Sequence, residues 1–190
     1  MIKKRIIFSF YVIIYLGDTM VELVRQNFKT NKKIYNETKH NLRKKLDKSI
    51  SIEHVGSTAI PNMYGKNIID ILIGAKDIEE FKNISNILKD MGYIPSDKSK
   101  TDIYTFFAST SDETKSGDIH IHLVLINTKR YKDFLILRNY LLEQKEEAKN
   151  YSNFKKELIK SNITDRNEYR SIKSKYVSDL IDRANKYYKG

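Results

Sequence analysis

The sequence predicts an α/β (α+β) chain, a small mixed β-sheet covered by helices with a helical C-terminal part, and three observations carry that prediction. Runs such as "SISIEHV", "NIIDILIG" and "DIHIHLVLI" have strand length and either alternate or stay apolar throughout. Between and after them, apolar residues recur at helical spacing. The chain has 190 residues, 40% of them hydrophobic, so a core of one domain's size is within reach.

The first residues, "MIKKRIIFSFYVIIYLG", have a basic start and an apolar run from Ile6 to Leu16. The run is shorter than the roughly 20 residues of a membrane-spanning helix, and no small-residue cleavage site follows it, as a signal peptide would require. A third reading places the native start at Met20, with residues 1–19 as translated upstream sequence or a flexible N-terminus. Gly17-Asp18 is encodable as a purine-rich GGAGAT, the kind of sequence found at a bacterial ribosome-binding site.

From Met20 onward, Tyr35, Leu42 and Leu46 share a face with lysines around it, so about residues 28–47 are expected to be helical. "SISIEHV" then alternates, with Ile50, Ile52 and His54 on one side and Ser51, Glu53 and Val55 on the other, and breaks at Gly56-Ser57. In "NIIDILIG", Ile69, Ile71 and Ile73 share one face while Ile68, Asp70 and Leu72 share the other. Asp77 opens a helix with Glu80 in capping-box spacing, an apolar stripe from Ile78 to Met91, and Gly92 as its stop. "YTFFAS" and "DIHIHLVLI", joined by the polar turn "TSDETKSG", read as an antiparallel hairpin. Tyr131 to Lys189 reads as two or three helices, the last starting near Asp165 with Tyr169, Ile172, Tyr176, Leu180 and Ala184 at helical spacing.

The absence of cysteine excludes disulfides, thiolate metal sites and cysteine nucleophiles. The net charge of +11 is uneven: residues 20–48 carry nine basic against three acidic residues, 129–190 sixteen against nine, and 49–128 seven against eleven. Basic flanks around an acidic centre are compatible with a site for cations and phosphates, and equally with solvated lysine-rich helix faces.

Candidate chemistry centres on Asp70, because an ionised carboxylate on a half-buried strand requires a partner. Ser57 precedes it by thirteen positions, so a return of the chain would bring the Gly-Ser corner beside the carboxylate. Such a corner offers a phosphate free N–H groups, a hydroxyl and close backbone approach, and a carboxylate beside it could hold a bridging divalent cation. His54, His120 and His122 lie on expected strands, the last two on one face. They could be metal ligands with Asp70, a neutral lining that orients a substrate, or hydrogen-bonded strand residues with no further role. Arg138, inside the apolar stripe of "KDFLILRNYLLEQ", requires an acid or a phosphate as partner, and Asp70 is one candidate.

The stretch "IEHVGSTAIPNMYGKNIIDILIG" resembles the GrpB family, bacterial proteins placed in the nucleotidyltransferase superfamily. The resemblance rests on "EHVGSTAIP" followed by "KNIIDI", and "VELV", "HIHLVL", "LRNYLLE" and "DRNEYRSIKSKYV" fall where that family has similar segments. Family members open close to "VELV", which favours Met20 as the start. The resemblance implies a nucleotidyltransferase-like fold as a single domain over 20–190, its sheet core about 49–127 and its helical part about 129–188. Gly56 and Ser57 match the superfamily's Gly-Ser corner and Asp70 the first acid of its Asp-x-Asp motif, but the second acid position is Leu72. Where a third acid is expected the chain has His120 and His122, with Asp118 and Glu53 as possible substitutes.

The implied site has Asp70, His120 and His122 as catalytic residues. Asp70 with Glu53 or a histidine would hold magnesium or manganese. Gly56, Ser57, Thr58 and His54 would take the phosphates, and Lys66, Arg138 or Lys173 would neutralise their charge. Two functions follow: transfer of a nucleotidyl group to an unknown acceptor, or a catalytically silent relative that binds a nucleotide, a coenzyme fragment or a protein partner. A nucleotide or other phosphorylated small molecule is the expected ligand, in a cytoplasmic protein without membrane attachment. Nucleic-acid binding fits the basic flanks and thirteen tyrosines, but Tyr35, Tyr169 and Tyr176 are better placed as core-facing residues of amphipathic helices.

Overall fold

The computed structural model describes residues 7–8, 11–16, 19–97, 100–109, 118–161, 163 and 165–190. In chain order these form β1 (Ile7–Phe8), β2 (Tyr11–Leu16), β3 (Thr19–Arg25), α1 (Phe28–Arg43), β4 (Ser51–Val55), β5 (Tyr64–Gly65), β6 (Ile69–Ala75) and α2 (Ile78–Asp90). They continue as β7 (Ile94–Pro95), β8 (Tyr104–Ala108), β9 (Ile119–Leu125), α3 (Lys129–Glu143), α4 (Lys145–Lys160) and α5 (Arg166–Tyr187). The expected α/β class, a mixed sheet with helices, is the one observed. The chain divides into two compact units: a sheet unit of Phe28–Ala59 and Ile68–Leu135, and a helical unit of Ile60–Asn67, Ile136–Gly190 and the described residues up to Asn27.

The sheet unit contains five strands in the order β4-β6-β9-β8-β7. β6 and β9 run parallel, and the other neighbours are antiparallel. Side-chain alternation gives the sheet two faces. One buries Ile52, Ile71, Ile73, Phe107, Ile121 and Leu123 together with Leu42 of α1 and Phe81, Ile84 and Leu88 of α2. On the other, Val55, Leu72 and Val124 pack with Tyr131, Phe134 and Leu135 of α3.

The α2 start is the expected one: Asp77 Oδ1 accepts the Glu80 N–H at 2.8 Å and Glu80 Oε2 accepts the Lys76 N–H at 2.7 Å. By contrast, α1 stops at Arg43 although the apolar spacing runs on to Leu46, which is still buried. Asp47 Oδ1 takes the N–H and hydroxyl of Ser49, and the Arg43 guanidinium donates to the carbonyls of Asp47 and Ile50. These local bonds compete with a further helical turn.

The helical unit has its own small antiparallel sheet, β1-β2-β3-β5. The stretch 1–19 contributes β2, paired with β3 from Tyr11↔Val24 to Leu16↔Thr19. Its other residues, save Ile7–Phe8 and Thr19, lie outside the described ones, as does the predicted turn "TSDETKSG". Here α4 and α5 bury Tyr151, Leu158, Ile159, Tyr169, Leu180 and Ala184. The buried Ser152 and Lys155 of α4 bind the backbone of Tyr64, the serine accepting its N–H at 2.8 Å and the ammonium donating to its carbonyl. Among the described residues no helix is long and apolar enough to cross a membrane.

Candidate functional site

The site forms where β4 ends. Val55 is registered with Asp70 of β6, and the next residue, Gly56, turns with a φ of +72°. A Cβ at Gly56 would lie 2.9 Å from both Cβ and Cγ of Asp70, so the backbone passes the carboxylate at a distance only glycine allows. Ser57–Ala59 then forms a single tight turn, closed by the Ala59 N–H on the Gly56 carbonyl at 3.3 Å.

Thr58 and His54 fasten this corner from behind. The buried Thr58 hydroxyl donates to the Ile68 carbonyl at 3.3 Å, so His54 Nε2, at 3.0 Å from Thr58 Oγ1, supplies the proton of their bond. The His54 ring stacks on Tyr35 at 4.6 Å, and Tyr35 donates to the Ile52 carbonyl at 2.9 Å. His54 is registered with Ile71 and so belongs to the α1 face, opposite the one that carries Asp70. Two of the expected phosphate-binding residues therefore brace the corner.

On the Asp70 face, β9 places His120 beside Asp70 and His122 beside Leu72. Asp70 Oδ1 lies 3.5 Å from His120 Nδ1 and 3.7 Å from His122 Nε2, with side-chain exposures of 25%, 23% and 15% for the three residues. Burial alone would raise the Asp70 carboxyl. The two imidazoles outweigh it and hold Asp70 well below the usual carboxylate range, ionised at neutral pH. Tyr104 of β8 sets its hydroxyl 3.1 Å from His122 Nδ1, and the Arg130 guanidinium lies 4.1 Å from the centre of the Tyr104 ring. Phe106 meets the His120 ring edge-on at 4.7 Å and Phe134 packs on His122 at 4.6 Å. Alternation within "YTFFAS" puts Tyr104 and Phe106 on one face, but only the strand register reveals that this face carries the histidines.

Glu53, expected to share a cation with Asp70, is on the same face but registered with Leu72. Leu72, where the resemblance implied a second acid, is 0% exposed in the apolar cluster with Val55 and Val124. Among the described residues no three His, Cys, Asp or Glu side chains are grouped to hold a metal ion. Magnesium takes near-octahedral oxygen ligands and retains several waters. One carboxylate oxygen facing two imidazole nitrogens, next to a dry leucine, does not fit it. Lys66, Arg138 and Lys173 belong to the helical unit, where Arg138 Nε donates to Asn139 Oδ1 at 3.0 Å.

The GrpB protein family model matches residues 21–183. The chain is 31% identical over 135 residues to the glutamate-rich protein GrpB of Alkalihalophilus pseudofirmus, covering 69% of this chain and 76% of that one. It is 29% identical over 141 residues to the UPF0157 protein YqkA of Bacillus subtilis, covering 74% of this chain but only 40% of YqkA. Among solved structures, the conserved protein GrpB from Enterococcus faecalis superposes with a TM-score of 0.74 at 22% identity, over 88% of this chain and 99% of that one. That likeness concerns the fold. The family match takes in both the Gly56 corner and the histidine strand β9, and on its extent this chain belongs to the GrpB family.

Proposed function

We propose that the sheet unit is a nucleotidyltransferase-like module whose Asp70 face binds a nucleotide or another phosphorylated small molecule. One observation carries this reading: Gly56, at a φ of +72°, is pressed against Asp70, so a glycine-serine backbone corner and an ionised carboxylate open on the same spot. Backbone N–H groups in such a corner suit phosphate oxygens, and Ser57, partly exposed, adds a hydroxyl. His120, within reach of the same carboxylate, supplies a group able to give or take a proton.

The geometry gives less support to nucleotidyl transfer with two metal ions, the chemistry the family resemblance implies. That mechanism places paired metals on clustered acids, and Leu72 occupies the position of the second acid. The buried leucine instead favours a module that binds its ligand with no transfer step, and we take binding as its function.

Thermal unfolding of the full chain with each of the four ribonucleoside triphosphates, with and without magnesium, tests this, with Asp70→Asn measured alongside. A ligand at about 100 times its Kd adds roughly 2.7 kcal/mol, and at this chain length each kcal/mol moves the midpoint by about 2–4 °C. At least one nucleotide should raise the midpoint of the native protein and fail to do so in Asp70→Asn. No shift with any nucleotide would contradict the proposal.

A further inference from the structure

The environment of Asp70 raises a narrower question: what does its carboxylate hold? Oδ1 faces two ring nitrogens, His120 Nδ1 at 3.5 Å and His122 Nε2 at 3.7 Å. On the far side of His122, Nδ1 lies 3.1 Å from the Tyr104 hydroxyl. An ionised carboxylate only accepts, so the tautomers that suit Asp70 carry their hydrogen on the ring nitrogens facing it. In neutral His122 the bare nitrogen is then Nδ1, which accepts the Tyr104 O–H. In neutral His120 the bare nitrogen is Nε2, which points away from Asp70. Phe106 and Phe134 pack on the two rings and limit their rotation.

From this network we infer that Asp70 is a positioning residue for imidazole and not a cation ligand. The face takes its phosphorylated ligand without a divalent metal, and the outer nitrogen of His120 accepts a hydrogen bond from a hydroxyl of that ligand. A cation on Oδ1 would meet two N–H groups pointing at it, with a buried leucine where its second carboxylate would stand. The arrangement is that of a carboxylate fixing an imidazole tautomer, which leaves the opposite nitrogen to handle a proton. The inference rests on the reading that this face binds a phosphorylated ligand, and its test separates the two.

Long-range proton–nitrogen spectra of the histidines in the full chain, recorded with EDTA on the neutral rings, should show His120 as the Nδ1–H and His122 as the Nε2–H tautomer. In Asp70→Asn, His120 should revert towards the Nε2–H form. Added Mn²⁺ should broaden these two histidines no more in the native protein than in the variant, and Zn²⁺ should leave their ring nitrogens in place. Selective broadening that Asp70→Asn abolishes, or a Zn²⁺-induced shift, would overturn the inference. The nucleotide-induced rise in unfolding midpoint should persist in EDTA and be lost in His120→Gln. A rise that requires magnesium or manganese would overturn the metal-free inference while sparing the binding reading. No rise under either condition would overturn both. Should Asp70→Asn fail to fold, the native tautomers and the EDTA arm still decide.

Discussion

The two faces of the five-stranded sheet come from the same strands and differ by one residue of phase. On β6, Ile69, Ile71 and Ile73 enter the core under α1 and α2, whereas Asp70 and Leu72 look the other way. On β9, Ile121 and Leu123 join that core, and His120, His122 and Val124 share the Asp70 face. The first face is apolar along β6 and β9 and carries His54 only at the end of β4. The second changes along each strand, from Asp70 and His120 at one end to Leu72, Gly74 and Val124 at the other. The candidate site thus lies at one end of the second face, while Leu72 and Val124 further along it pack against α3.

The largest effect is expected of Leu72→Asp, which puts a second acid two residues from Asp70 within the dry part of the second face. An unpaired buried carboxylate there should cost about 3–5 kcal/mol, read as a lower urea midpoint, with no gain of magnesium binding in calorimetry. Ile71→Ala, on the first face, should cost about 2–5 kcal/mol through the cavity it leaves, with nucleotide binding per folded molecule unchanged.

Gly56→Ala sits at the join between corner and site. The left-handed backbone alone costs roughly 1–3 kcal/mol, and the added methyl group must push Asp70 aside, so ligand-induced stabilisation should be lost along with stability. Asp70→Asn should show the smallest stability effect, roughly 1–2 kcal/mol at neutral pH, and a distinctive pH dependence. Folding depresses the Asp70 carboxyl, so its contribution is full above the unfolded value near pH 4 and fades as the pH falls towards the folded one. The gap between native protein and variant in denaturant titrations should accordingly close below about pH 4.

These faces were legible in the sequence to different depths. Alternation in "SISIEHV" and "NIIDILIG" sorted Ile52 from Glu53 and Ile71 from Asp70 correctly, because a period of two is a local property. The Gly56 turn was legible for the same reason, since a Gly-Ser corner between two strands breaks the pattern where it stands. What alternation cannot give is which strand lies next to which. Alternation already set His54 on the side of Ile50 and Ile52, but only the register with Ile71 shows that this side lies opposite Asp70, with His54 against Tyr35. Tyr104 and Arg130 are inconspicuous in the sequence, and they join the histidines only through the pairing of β8 with β9 and the start of α3. The end of α1 at Arg43 depended on a competition between Asp47 side-chain bonds and helix propagation, which apolar spacing does not register.

The most direct measurement of the central claim is a titration of ribonucleoside triphosphates into the nitrogen-15-labelled full chain in EDTA, followed at the backbone amides and histidine rings. One nucleotide should shift the Gly56 and Ser57 amides together with the His120 ring, while the Ile71 and Ile121 amides on the core face barely move. Saturable shifts confined to residues away from Gly56, Ser57 and His120 would contradict it.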